Sequence, residues 1–248
     1  MILLGENEVH VWWAFPDLVL APELLRRQFL TLSAAEQGRH DGFRFDRHRR
    51  QFLVSHSLVR DVLSHYAPVP PSEWRFRVSE YGWPSVAWNG ASPLDLRFNL
   101  SHTEGRSIVA VARGVDIGVD VESTASGRGV SGIAERYFSA AEIAQLSQHP
   151  EWFFDFWTLK EAYIKARGFG LAIPLNSFSF SLANPDRPAV SFHGECEDRP
   201  DHWHFVLDRG SDYRMALAAA TDTCQPLRIV EREVVPLAEV RHVREYRA

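Results

Sequence analysis

"FWTLKEAYIKARGFGL" (residues 156–171) sets Lys160, Glu161 and Lys165 into an otherwise aromatic and aliphatic pattern. On a helix, Trp157, Glu161 and Lys165 recur every four residues and share one face. Two readings compete for that stripe. In one it is a solvated face, with Glu161 and Lys165 as an i,i+4 pair worth a few tenths of a kcal/mol. In the other it is a site helix that holds a carboxylate among Phe153, Phe154, Phe156, Trp157 and Tyr163.

Working outward, the spacing predicts a helix over 152–167. Before it, the capping box Ser139-x-x-Glu142 opens a helix over 139–147, and another is expected at 130–136 after the Gly/Ser-rich "STASGRG". After it the chain reads as β: "SFSFSL", "AVSFHG", "HWHFVLD", "YRMALAAAT" and "LRIVEREVV". The first half begins with a strand, "VHVWWAF" (9–15). A capping box, Ser33-x-x-Glu36, then opens a helix, and "RRQFLVSHSLVRDVLSHY" continues or restarts one until "APVPPS" stops it. Short strands follow at 74–78, 97–101, 107–113 and 115–122. Both halves offer helices and several strands, which predicts an α+β fold with two similar lobes, 1–113 and 114–248.

The 248 residues are 45% hydrophobic with eight Trp and 16 Phe, enough for a large core. A net charge of −5 supplies no basic field for nucleic acid. Cys196 and Cys224 lie outside any CxxC spacing, and "MILLGENEVH" lacks the basic start and apolar core of a signal peptide. No apolar run approaches the ~20 residues that span a bilayer. The expectation is a soluble cytoplasmic protein without nucleic-acid or membrane partners.

The chemistry begins in "GVDIGVDVE" (114–122). As a strand, it turns Val115, Ile117, Val119 and Val121 one way and Asp116, Gly118, Asp120 and Glu122 the other. Asp120 and Glu122 are neighbours on one face and repel unless a cation lies between them. Hard oxygen ligands suit Mg²⁺, with Glu161 as a third carboxylate. A solvated strand face accounts for this segment equally well. Lys160 and Lys165 would offer positive charge to phosphates. In "FNLSHTEG" (98–105), Ser101 and His102 end a strand at a turn able to receive a phosphate, although a lone Ser-His pair is more often structural. "RFDRHRRQ" (44–51) reads either as a solvated helix face or as a source of arginines for phosphate.

"FNLSHT", "IGVDVE" and "FWTLKEAYIK", in this order and at these separations, resemble the three signature blocks of the Sfp-type 4′-phosphopantetheinyl transferases. "EYGWP" (80–84) resembles that family's Gly-Lys-Pro block, and "RYFSAAE" (136–142) its Arg-x-Phe-Ser…Glu block. The resemblance spans roughly residues 36 to 180. It implies the pseudo-dimeric fold of that family, a monomer with two similar α+β lobes in one chain. It also implies Mg²⁺-dependent transfer of the phosphopantetheine arm of coenzyme A to a serine of an apo acyl or peptidyl carrier protein, with release of adenosine 3′,5′-bisphosphate. Mn²⁺ would substitute for Mg²⁺.

Asp120, Glu122 and Glu161 match the family's metal ligands, and Asp120, Glu161 and Lys165 its catalytic set. Glu161 or a metal-held water would be the base toward the carrier serine. Ser101 and His102 match residues around the 3′-phosphoadenosine, with Lys160 and Lys165 as further coenzyme A contacts. The lysine of Gly-Lys-Pro is Trp83 here, and a family phosphate-binding arginine falls at Gln51, so Arg44 and Arg50 are the expected replacements. The implied carriers are those of polyketide or nonribosomal peptide synthesis. Fatty-acid carriers, broad specificity, a non-catalytic relative that binds coenzyme A or carrier, and a pyrophosphatase or nucleotidyl transferase on the same residues are the alternatives.

Overall fold

The computed structural model describes residues 1–87, 95–125, 132–194, 196–221 and 225–248. Part of the Gly/Ser-rich stretch, the start of the helix expected at 130–136, and Cys224 lie outside them. The first strand, β1 (Glu8–Ala14), is followed by α1 (Pro22–Phe29), α2 (Ala34–Asp41) and α3 (Asp46–Ser64). A small hairpin, β2 (Phe76–Val78) and β3 (Pro84–Val86), precedes β4 (Leu96–Thr103), β5 (Arg106–Arg113) and β6 (Ile117–Ser123). Then come α4 (Ile133–Tyr137), α5 (Ala140–Gln148) and α6 (Phe153–Arg167). The chain ends in β7 (Phe178–Ser181), β8 (Ala189–Phe192), β9 (Trp203–Arg209), β10 (Tyr213–Ala220), β11 (Arg228–Val235) and β12 (Glu239–Arg247).

The strands form a five-stranded sheet in the order β12-β11-β1-β5-β4 and a three-stranded sheet in the order β6-β10-β9, beside the hairpins β2-β3 and β7-β8. β1 lies parallel to β11 and antiparallel to β5, so the last two strands of the chain close the sheet that the first strand begins. Helix and sheet mix as the sequence predicts: the fold is α+β.

Three apolar clusters stack the layers. Val54, Leu58 and Val62 of α3 pack with Trp12, Val109 and Val111 on one face of the first sheet. Val9, Val11, Ile108 and Ala110 meet Ile117, Val119, Val121 and Leu217 between the two sheets. Phe156, Leu159 and Tyr163 of α6 cover the outer face of the second sheet with Phe205, Ala216 and Ala218. The order is helix, sheet, sheet, helix. Apart from the exposed edge strand β12, the sheets are covered on both faces, and β6 is buried from Ile117 to Val121.

β6 therefore carries chemistry inside the protein. Its apolar side faces the other sheet, as the alternation predicts, and its carboxylate side faces α6. Gly118 sets the distance. A Cβ there would lie 2.0 Å from the Ala162 carbonyl oxygen and 2.4 Å from the Ala166 amide nitrogen, so only glycine lets the helix backbone settle on the strand. That contact brings Glu161 and Lys165 over Asp120.

The sheets are also stitched by side chains. Asn99 Oδ1, Ser101 Oγ and Thr103 Oγ1 of β4 accept hydrogen bonds from the amides of Val119, Val121 and Ser123 of β6, at 3.0, 3.3 and 3.1 Å. Buried strand edges must satisfy their amides, and here alternate side chains of a neighbouring strand do so.

Candidate active site

The centre of the site is Asp120, 4% exposed. Its Oδ1 accepts hydrogen bonds from Lys165 Nζ at 2.6 Å and from Ser101 Oγ at 2.9 Å. Lys165 Nζ also donates to Ser101 Oγ at 3.0 Å and to the Val119 carbonyl at 3.2 Å, so its three protons are all engaged. Asp120 Oδ2 is buried and, among the described residues, has no hydrogen-bond partner. A buried, uncommitted carboxylate oxygen is costly unless something charged binds it.

Glu122 and Glu161 surround this carboxylate electrostatically. Burial, and then repulsion from Asp120, pushes Glu122 up to about 7; Lys165 and a hydrogen bond from Trp157 oppose the rise. The same two causes, burial and then Asp120, push Glu161 up to about 7 against the pull of Lys165. The stripe Trp157, Glu161, Lys165 is thus the face of α6 turned toward β6. The salt-bridge reading of the stripe does not hold: Lys165 pairs with Asp120 on the strand.

Among the described residues, no three acidic, His or Cys side chains converge into a ready-made ligand cage. The donor set nevertheless fits a hard divalent cation. It offers the orphaned Oδ2 and two carboxylates whose ionised forms are disfavoured by burial and by Asp120.

Ser101 and Lys160 depart from expectation. The Ser101 hydroxyl donates to Asp120 and accepts from Lys165 and Val121, which exhausts its hydrogen-bonding capacity. Its side chain has nothing left for a coenzyme A phosphate. Lys160 is wholly buried: its ammonium meets Glu142 Oε2 at 2.8 Å and the carbonyls of Leu175 and Phe178 at 2.6 and 2.8 Å, and lies 4.3 Å from the centre of the Phe178 ring. It is a core ion pair and contacts no open surface. One position along a helix turns a side chain by ~100°, which separates Lys160 from the Glu161 face.

His102 lies in a recess of about 470 Å³ with Arg39, Arg47, His48 and Gln51. The ring keeps exposed surface, yet the recess is deep enough that burial, followed by the charge of Lys165, lowers its pKa. Arg44 and Arg50, the arginines expected here, do not line the recess, although Asp17, which Arg50 faces, does. Arg44 is exposed, its guanidinium over the Phe45 ring, and Arg50 turns toward Asp17, 3.9 Å away, and lines a separate cavity with Arg26 and Leu53. α3 begins at Asp46, and its phase directs Arg47, His48, Gln51 and Phe52 to His102. An i,i+4 reading of "RFDRHRRQ" back from Gln51 would have selected Arg47; Arg39, on α2, carries no such signal. Gln51 itself donates to Ser107 Oγ at 2.8 Å and to the Arg106 carbonyl at 3.0 Å.

A second recess of about 480 Å³, lined by Trp83, Asn99, Arg97, Lys165 and Arg167, opens beside the C-terminus of α6. Trp83 donates through Nε1 to the Lys165 carbonyl at 2.5 Å and lies against Gly168, the left-handed residue that ends the helix. The aromatic side chain standing where the Gly-Lys-Pro block has lysine thus anchors the end of the site helix.

Residues 116–218 match the model of the 4′-phosphopantetheinyl transferase superfamily. The chain is 34% identical to the 4′-phosphopantetheinyl transferase HetI of Nostoc sp. over 76% of its own length and 79% of that protein. It is 31% identical to the 4′-phosphopantetheinyl transferase Sfp of Bacillus subtilis strain 168, and 33% identical to the 4′-phosphopantetheinyl transferase ffp of Bacillus subtilis. Each of these two matches covers 86% of this chain and 92% of the relative.

Proposed function

Since the chain belongs to the 4′-phosphopantetheinyl transferase family, we propose that its Asp120–Lys165 centre catalyses transfer of the 4′-phosphopantetheine arm of coenzyme A to a carrier-protein serine. The observation that carries this reading is the divided carboxylate of Asp120, with one oxygen held by Lys165 and Ser101 and the other buried without a partner. Glu122 and Glu161, raised by burial and by Asp120, complete an acidic pocket that a cation would relieve.

In this reading Asp120, Glu122 and Glu161 hold Mg²⁺, or Mn²⁺ in its place. When bound, such an ion would supply Lewis-acid charge that neutralises these carboxylates and the pyrophosphate oxygens of coenzyme A. Lys165 offers its charge to the same oxygens, releasing the Val119 carbonyl, its longest contact, to do so. The carrier serine oxygen bonds to the β-phosphorus, and the bond from that phosphorus to the oxygen bridging to the α-phosphate breaks. Adenosine 3′,5′-bisphosphate departs with the bond's electrons. Glu161 takes the serine proton on its carboxylate. His102, with Arg39 and Arg47, binds the 3′-phosphate end.

The reading places the lobe boundary at 113/114, with β11 and β12 returning to the first lobe's sheet. It includes a monomer in the cytoplasm that acts on carriers of polyketide or nonribosomal peptide synthesis. Among the described residues, no helix is long and apolar enough to cross a membrane.

The test is to incubate the protein with coenzyme A, Mg²⁺ and several purified apo-carriers, then weigh each carrier. Gain of one phosphopantetheine arm is expected, fastest on the native carrier class. Cleavage of coenzyme A without carrier modification would select a hydrolase. Binding without either would select a non-catalytic relative.

A further inference from the structure

We propose that Ser101 is a positioning residue for Asp120, fixing the carboxylate so that Oδ2 alone is presented to a metal; the inference rests on the reading of Asp120 as a ligand. The terminal torsion of an aspartate is broad and roughly two-fold, so the carboxylate holds one orientation only if its surroundings impose it. Lys165 does this poorly by itself, because a flexible ammonium follows whichever oxygen is nearer. Ser101 supplies the fixed reference. It sits on β4, paired with Ile108 of β5, is 6% exposed, and holds the Val121 amide through the same hydroxyl that donates to Asp120 Oδ1. One hydroxyl therefore ties the strand seam, the lysine and the ligand together.

A substrate contact by the Ser101 side chain is the competing role, and the saturated hydroxyl argues against it. Two residues along the same strand, Thr103 makes the equivalent bond to the Ser123 amide. It has no part in holding Asp120, which makes it the internal control for damage to the seam.

The experiment measures Mn²⁺ affinity by electron paramagnetic resonance, with coenzyme A present and carrier absent. Ser101→Ala is expected to weaken Mn²⁺ binding by about 10- to 100-fold, the usual loss when a partner of a metal ligand is removed. Thr103→Val is expected to bind Mn²⁺ like the wild type, and Ser101→Thr, which keeps the hydroxyl, to recover most of the loss. Should Ser101→Ala fail to fold, Ser101→Cys, of similar size but a weak donor, is expected to show the same weakening. Unchanged Mn²⁺ affinity in the foldable variant of these two, with a raised KM for coenzyme A, would overturn the proposal in favour of substrate contact. So would an equal weakening in Thr103→Val. Absence of Mn²⁺ binding by the wild type would instead contradict the metal-site reading beneath it.

Discussion

Two lysines on α6, Lys160 and Lys165, each pair with a carboxylate, at 2.8 Å to Glu142 and 2.6 Å to Asp120. The first pair is closed. Lys160 has three acceptors for its three protons, and Glu142 uses its oxygens on Lys160 and on the amides of Ser139 and Phe180. The second pair is open, because Asp120 Oδ2 has no partner and two further acids crowd round it. A closed buried pair has nothing to offer a substrate and serves the fold. An open one leaves free energy that a bound cation can recover.

The largest expected effect is on the closed pair. Lys160→Ala leaves Glu142 charged and buried without its counter-ion, and should lower stability by about 3–5 kcal/mol in urea or thermal unfolding. The double variant Lys160→Met/Glu142→Gln removes both charges at similar volume and should recover most of that loss. Equal instability of the single and double variants would show that the pair is held for its charge.

A second carboxylate with both oxygens engaged, Glu36 in the first half of the chain, sharpens the comparison through pH. Burial would raise Glu36, but hydrogen bonds from His56 and Ser33 and the charge of Arg60 outweigh it and hold the carboxyl at about 2, below its ordinary 4.5. A depressed carboxyl stabilises the fold above its unfolded pKa and loses that contribution as pH falls through the folded one. About 3 kcal/mol should therefore disappear between pH 4.5 and 2. Glu36→Gln should be less stable than wild type at pH 7 and lack this part of the acid loss. Parallel pH curves for the two proteins would contradict it.

The open side predicts a smaller, kinetic effect away from the reacting centre. His102→Ala and Arg47→Ala should each raise KM for coenzyme A about tenfold, or ~1.4 kcal/mol, with less change in kcat, the pattern of lost ground-state binding. Arg50→Ala should leave KM where it is. A reversed ranking of Arg47 and Arg50 in steady-state kinetics would return the recess to the arrangement expected from sequence.

The sequence was legible where periodicity and chemistry agreed. The alternation of "GVDIGVDVE" placed Asp120 on the face opposite Val119 and Val121, and the four-residue stripe placed Glu161 and Lys165 together. The stripe put Lys160 one position off that face, but not inside the core: only the packing of Leu175 and Phe178, whose carbonyls accept from its ammonium, shows that it is sealed. Glu142, in "RYFSAAE", showed its capping box and concealed its second role as the partner of Lys160. β12 went unread because "EVRHVREYR" is solvent-exposed almost throughout and carries no apolar stripe. Ser101 was visible as a motif residue, but its three hydrogen bonds come from two other elements and leave no mark in local sequence.

On the proposed function, the open pair performs the chemistry and the closed pair does not. The most direct measurement is the initial rate at which the mass of an apo-carrier rises with coenzyme A and Mg²⁺, below the melting temperature of every protein used. Two variants are compared with the wild type: Glu161→Gln and the double variant Lys160→Met/Glu142→Gln. The double variant is expected to turn over near the wild-type rate. Glu161→Gln, which keeps shape and loses charge, should fall by about 10²-fold or more in kcat, the range of general-base removal, with no loss of melting temperature. Ordinary turnover by Glu161→Gln, or a comparable collapse in the folded double variant, would contradict it.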